Sequence, residues 1–331
     1  GAGGRGGGGG GRREVSEAED VLVKGLRAVA NVCISASVGP RVACEEAMEA
    51  LVALLAKSAS AVGEELLLNL VALITNMSFH GQRPARAPRG ALTGTLAPSA
   101  TSSPRPELLP NRLATCRASL VASLTPLLTH ANPELVVEAA RALSNLVRDS
   151  GSAALLVSLR GVEALSLLLQ HAVADVAATA AGVLVNVGLF PSVRRAAALP
   201  ASATAEQLVS LIGATRCDHP RLCSVACKAL HNLLVLHGPA SPEGGEGKEE
   251  AGALEPLPTR RSGSFPRASP LVPEAALHRA REALLDVLDD ADVVAPASEA
   301  GDEREAAQRA EDVAELTGVC EVLLDSVLVE E

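Results

Sequence analysis

The sequence predicts an all-α solenoid, a row of stacked helical repeats with no sheet. Three observations carry that expectation. Apolar residues make up 48% of the 331, yet aromatics are only 1%, so any core is built from Leu, Val and Ala. Ala and Leu favour helix over strand. Between Pro- and Gly-rich stretches the apolar positions recur at the helical period. Finally, one pattern returns five times, each time with an asparagine near its end.

The five runs are LVKGLRAVANV ending at Val32, LLNLVALITNM at Met77, VEAARALSNLV at Val147, ATAAGVLVNVG at Gly188 and SVACKALHNLL at Leu234. Their asparagines are Asn31, Asn76, Asn145, Asn186 and Asn232, with separations of 45, 69, 41 and 46 residues. The 69 falls to the common value once a Pro-rich insert is set aside. A period in the low forties suits units of two or three helices, which bury their apolar faces only by stacking.

Positions around each Asn repeat as well. Two residues before it stand Val29, Ile74, Leu143, Leu184 and Leu230; one after it, Val32, Met77, Leu146, Val187 and Leu233. Six before it stand Gly25, Leu70, Ala139, Ala180 and Ala226, mostly small. On a helix these positions share one face, expected to be the core face between repeats. Small residues there let the neighbouring helix come close.

Taken along the chain, residues 1–15 are a Gly/Arg-rich segment expected to be disordered. Residues 16–331 form one repeat domain with inserts at about 82–112 and 238–272. Pro84–Pro110 and Gly238–Pro270 supply the Pro, Gly and Ser that mark them. Ala295–Asp302 is a third, shorter break. Partner helices are expected at Glu45–Ser58, Leu120–His130, Val162–His171 and Ala205–Gly213, with later helices at Glu274–Asp290 and Glu311–Val329. The opening Gly is read as the start of a fragment whose upstream part is missing.

The net charge of −10 is uneven. Residues 1–273 hold 25 Lys/Arg against 22 Asp/Glu, whereas residues 274–331 hold 4 against 17. An acidic end and no basic face argue against nucleic-acid binding. Seven scattered cysteines suit a reduced, cytoplasmic setting. Ala172–Phe190 is apolar apart from Asp175 and Asn186 but fits the repeat, so no membrane span is expected.

Chemistry is largely absent. Cys217, His219, Cys223, Cys227 and His231 have zinc-ligand residue types, and the last three share a helical face. Cys223 and Cys227, however, take the places held elsewhere by Val136, Ala177, Ala140 and Ala181, so they are expected in the core with no metal. The glycines of residues 1–11 have no strand before them, Gly244–Lys248 lacks the phosphate-loop spacing, and no nucleophile signature is present. No catalytic residue and no cofactor are expected.

The run AARALSNL at Ala139–Leu146 resembles the third helix of armadillo repeats. Within that family, GVLVNVGLFPSVRRAAAL at Gly182–Leu199, LCSVACKALHNL at Leu222–Leu233 and EAARALSNLVRD at Glu138–Asp149 are similar to a ciliary and flagellar branch. The resemblance implies a right-handed superhelical armadillo solenoid acting as a non-catalytic scaffold or adaptor. Its implied setting is the cytoplasm and the axoneme, with axonemal or intraflagellar-transport cargo proteins as partners. A substrate-recognition module of a ubiquitin ligase and a junctional scaffold are the alternatives. The family also implies a concave groove lined by the Asn-bearing helices, whose amides bond an extended peptide.

Four residues before each Asn stand Arg27, Ala72, Arg141, Gly182 and Lys228. A four-residue step turns about 40° around the helix, so each lies beside its Asn. Arg27, Arg141 and Lys228 with the five asparagines are thus the candidate groove stripe. Without Trp to hold lysine stems, it suits an acidic or mixed segment. The competing reading makes the asparagines bridges between repeats.

Overall fold

The computed structural model describes residues 17–35, 37–61, 63–80, 113–234, 274–293 and 303–327. The expected disordered segment 1–15, both inserts and the break at 295–302 lie outside the described residues. Among the described residues the chain is helical and contains no strand.

The helices are α1 (Glu17–Cys33), α2 (Gly39–Val42), α3 (Glu45–Ala61), α4 (Glu64–His80) and α5 (Leu113–Leu124), continued by a 3-10 turn (Thr125–Thr129). Then come α6 (Pro133–Leu146), α7 (Ser150–Ser158), α8 (Gly161–Leu168), α9 (Ala174–Val187), α10 (Pro191–Thr215) and α11 (Pro220–Leu234). The acidic end forms α12 (Glu274–Val293) and α13 (Glu303–Val327).

Local chemistry sets several of these boundaries. Pro133, Pro191 and Pro220 each open a helix, where the missing N–H costs nothing. Asn132 caps α6 by accepting the Glu134 N–H at 2.9 Å, and Asp149 caps α7 by accepting the Ser152 N–H at 2.9 Å. Pro126 tightens the end of α5, so the helix expected at Leu120–His130 starts earlier and finishes as a 3-10 turn. The expected helix at Val162–His171 is preceded by another, α7, bent 80° from α8. Arg160 makes that bend in the left-handed region, φ 59°. Gly161 then lets α8 lie against α7: a Cβ there would stand 2.3 Å from Leu156 Cδ1 and 3.0 Å from its carbonyl oxygen.

The Asn-bearing helices stack in series: α1 on α4, α4 on α6, α6 on α9, and α9 on α11. A second row runs α3, α5, α7, α10 and α12. Ile74, Leu143, Leu184 and Leu230 are fully buried between the rows, as their register predicts. Val29 is the exception, because α1 has no preceding helix among the described residues to cover that face. The apolar run at Ala172–Phe190 contains the 14-residue α9, packed between α6 and α11. No single described helix is long and apolar enough to cross a membrane.

Candidate functional site

The asparagines form one ladder. Asn76 Nδ2 donates to the Ala30 carbonyl at 2.9 Å, and Asn145 Nδ2 donates to that of Thr75 at 3.3 Å. Asn186 Nδ2 reaches the Ser144 carbonyl at 2.8 Å, and Asn232 Nδ2 that of Val185 at 3.0 Å. In every case the acceptor is the residue just before the preceding Asn. The Ala30, Ser144 and Val185 carbonyls lie in last helical turns, where backbone donors run out, whereas α4 continues five residues past Thr75. At two junctions the replacement is visible: the Ile34 N–H turns to Asn31 O and the Leu189 N–H to Asn186 O. The amide of the next repeat serves the carbonyl left behind. Asn145 also donates to Ser78 Oγ at 3.1 Å, and Asn186 to Ser144 Oγ at 3.0 Å.

The expected single stripe is therefore divided. Arg27 and Arg141 keep open side chains, 57% and 53% exposed. Arg27 donates to Glu65 at 2.9 Å and to Asn69 at 3.2 Å, while Arg141, among the described residues, holds only Glu138 of its own helix, at 2.8 Å. Between and beyond them the positions of Ala72 and Gly182 are small, and a Cβ on Gly182 would meet nothing within 4 Å. Asn31 is exposed, Asn76 and Asn186 are half-buried, and Asn145 is buried. Asn232 is fully buried, and Lys228 is buried with its ammonium paired to Glu315. Neither of these two faces an open groove.

The cause is α13, which the sequence reading treats only as a terminal acidic helix. It stacks on α11 as a sixth rung. Its buried Leu316, Val319, Cys320 and Leu323 repeat the spacing of Val136, Ala139, Ala140 and Leu143. Asp325 stands where Asn145 does, and that replacement hides the rung from a search for Asn. The acidic end neutralises basic groups beside it: Arg216 meets Asp286 at 2.7 Å and Asp290 at 3.3 Å, and Arg221 meets Asp312 at 2.7 Å. Asp290 is thus part of an ion-pair cluster.

The cysteine set does not converge. Cys217 points its thiol at the Val287 carbonyl, 3.7 Å away, and Cys223 at that of Ile212, 3.9 Å away. Cys227 lies 3.9 Å from Cys320 of α13, a pairing 93 residues apart that local spacing cannot reveal. Hydrogen bonds to Cys223 and Cys320, together with burial, push the Cys227 thiol well up. Among the described residues no three His, Cys, Asp or Glu side chains group so as to hold a metal ion.

Comparison with known proteins agrees with this geometry. The family model Armadillo/beta-catenin-like repeat matches residues 110–148, the unit that carries Asn145. No curated protein sequence matches the chain. Among solved structures, an engineered protein is similar with a TM-score of 0.50 and 19% identity, over 91% of this chain and 93% of that one. A designed armadillo repeat protein gives 0.50 and 14%, over 92% and 95%. Computationally designed armadillo repeat proteins for modular peptide recognition give 0.51 and 17%, over 90% and 93%. Residues 110–148 are thus similar to an armadillo/beta-catenin-like repeat, and the fold around them is an all-α solenoid like that of designed armadillo repeat proteins.

Proposed function

We propose that this chain is a non-catalytic protein-binding scaffold that holds an extended, acidic or mixed partner segment along α1, α4, α6 and α9. The observation that carries this reading is the pair of open cations, Arg27 and Arg141, on one row with small residues at Ala72 and Gly182. Small positions leave room for a partner backbone, and the guanidinium groups can fork onto its carboxylates. Extended surfaces of this kind are what stacked repeats commonly use. The likeness to designed proteins for modular peptide recognition supports a peptide as the ligand form.

The partner class follows from the resemblance of Gly182–Leu199 and Leu222–Leu233 to armadillo repeat-containing protein 2. On that basis the chain is an adaptor for axonemal or transported proteins of the cilium or flagellum. The test is affinity purification of the tagged chain from ciliated cells, beside a variant carrying Arg27→Glu and Arg141→Glu. Axonemal proteins should be recovered with the parent and lost with the variant, more completely at low salt where screening is least. Equal recovery by both forms rules out the row as the binding face. Recovery of a partner set without axonemal proteins rules out the ciliary assignment.

A further inference from the structure

On the rungs after the first, the position five residues before the Asn is always deep in the core. It holds Val71 in α4, Ala140 in α6, Ala181 in α9 and Cys227 in α11, all fully buried. On α13, where Asp325 takes the place of the Asn, the same position is Cys320, also fully buried. Stacking thus sets two thiols face to face across the α11–α13 junction, with Cys227 Sγ 3.9 Å from Cys320 Sγ. Other thiols nearby point elsewhere: Cys217 toward the Val287 carbonyl and Cys223 toward that of Ile212. Cys223 stands one turn before Cys227, but Cβ atoms four residues apart on a helix are about 5–6 Å apart. A disulfide needs about 3.5–4.5 Å between them, so the intact helix keeps Cys223 and Cys227 from joining.

The same junction is built without the latch of the other four. At each of those an Asn amide donates to a carbonyl of the preceding helix, whereas the carboxylate of Asp325 has no N–H to give. Ion pairs of Lys228 with Glu315 and of Arg221 with Asp312 run along the polar edge of this junction, and Glu315 and Arg221 are both exposed. A margin of that kind separates more readily than a buried core, which gives a small solute intermittent access to the thiols behind it.

We propose that Cys227 and Cys320 are an oxidation site, at which hydrogen peroxide converts the two thiols into a disulfide that ties α13 to α11. The Cys320 thiolate attacks one peroxide oxygen and the O–O bond breaks. Sulfenic acid forms at Cys320, and the departing hydroxide takes up the proton that Cys320 released. The Cys227 sulfur then attacks the Cys320 sulfur, the S–O bond breaks, and the hydroxyl leaves as water with the Cys227 proton. Two thiols lose two electrons, and one peroxide becomes two waters. Hydrogen bonds to Cys223 and Cys320 and burial keep the Cys227 thiol protonated, which suits it to the second step. Closing from 3.9 Å to about 2 Å asks each sulfur to move by roughly 1 Å. The bond would supply the cross-rung tie that Asp325 cannot, and it is broken again by an external thiol. It uses neither Arg27 nor Arg141, so it stands or falls apart from the peptide-binding reading.

The test treats the reduced full chain with hydrogen peroxide, blocks the remaining thiols with iodoacetamide and maps the tryptic peptides by mass spectrometry. The expected product joins Leu222–Lys228 to Ala310–Glu331, in the parent and equally in Cys223→Ala. Cys227→Ala and Cys320→Ala should each abolish it. Ala already fills the same position in α6 and α9, so both variants are expected to fold, with the helix content of the parent by circular dichroism. Oxidation should raise the parent's melting temperature by roughly 5 °C or more, reversibly with dithiothreitol, and leave that of Cys320→Ala unchanged. Peroxide that leaves both thiols free, or that stops at sulfenic or sulfinic acid, overturns the proposal. So does a bond from Cys227 to Cys223 or to a second molecule, a bond that forms only in denaturant, or one that leaves the melting temperature where it was.

Discussion

The amide ladder makes a graded prediction for stability. Asn232→Ala deletes the 3.0 Å bond to the Val185 carbonyl in a junction where Asn232 is fully buried. That junction is tight: a Cβ on Gly188 of the facing helix would lie 2.9 Å from Asn232 Cβ. Water has no ready access, so the carbonyl is left without a donor, at a cost of about 1–3 kcal/mol. Asn76→Ala removes an equivalent 2.9 Å bond, but at a half-buried site. Water can replace that amide, and the loss should be about 0.5–1.5 kcal/mol. In a cooperative unit of roughly 200 residues each kcal/mol moves Tm by about 2–4 °C. Far-UV circular dichroism melts should therefore drop by roughly 4–8 °C for Asn232→Ala if the loss is about 2 kcal/mol, and by about 2–4 °C for Asn76→Ala if it is about 1 kcal/mol. Equal losses, or a change below about 0.5 kcal/mol at Asn232, refute the reasoning that these amides cap the preceding helix.

Other positions give sharper local tests. Gly161→Ala should destabilise by about 1–3 kcal/mol, because a Cβ would stand 3.0 Å from the Leu156 carbonyl as well as against its side chain; an unchanged denaturation midpoint would show that α7 and α8 can part freely. At Asp149 desolvation alone would raise the pKa, but hydrogen bonds from the Ser152 N–H and hydroxyl and from Arg117 outweigh it and hold the carboxyl below its ordinary value. A depressed folded pKa means that the unfolded chain binds the proton more readily. This stabilisation is full above about pH 4, the unfolded value, and is lost as pH falls through the folded one. The parent's Tm should therefore fall more steeply in acid than that of Asp149→Asn, and parallel curves would sink the assignment. Glu315→Ala should cost more than Lys228→Met, since the first strands a buried ammonium and the second leaves a carboxylate that is 52% exposed. Denaturation showing the reverse order would mean that Lys228 reaches water without its partner.

Much of the fold was legible because stacking repeats a small set of demands at a fixed period. Leu143, Leu184 and Leu230 could be assigned to the core from register alone, and all three are fully buried. The partner helices were harder. Ser150–Ser158 has little one-sided character, and the end of α5 depends on how Pro126 tightens one turn. The sixth rung was hidden for a chemical reason. Asp325 cannot donate as an amide does, so the marker that identifies the other five rungs is missing although the apolar spacing persists. The burial of Lys228 could not be read locally either, because Glu315 lies 87 residues away. The same distance effect hides the approach of Cys320 to Cys227, 93 residues away, although register alone placed Cys223 and Cys227 in the core.

The ladder also changes what the asparagines can contribute to a partner. An amide carries two N–H groups and one oxygen. Along this row one nitrogen is committed to the preceding helix, and at Asn145 the oxygen accepts from Arg148 Nη2 at 3.4 Å. Asn145 is therefore not a solvent-facing side chain whose removal leaves the fold untouched. Asn186 is only half-buried and next to the open space over Gly182, which leaves its oxygen the better placed to meet a partner N–H. A loss of binding on changing either residue to Ala mixes recognition with stability. Arg141 does not share this ambiguity, because among the described residues its partner is intrahelical and an exposed pair of that kind contributes little to folding, whereas Arg27 also ties α1 to Glu65 and Asn69 of α4. On the proposed reading, Arg141→Glu is therefore the cleaner test of recognition, while the asparagines hold the row on which the arginines are spaced.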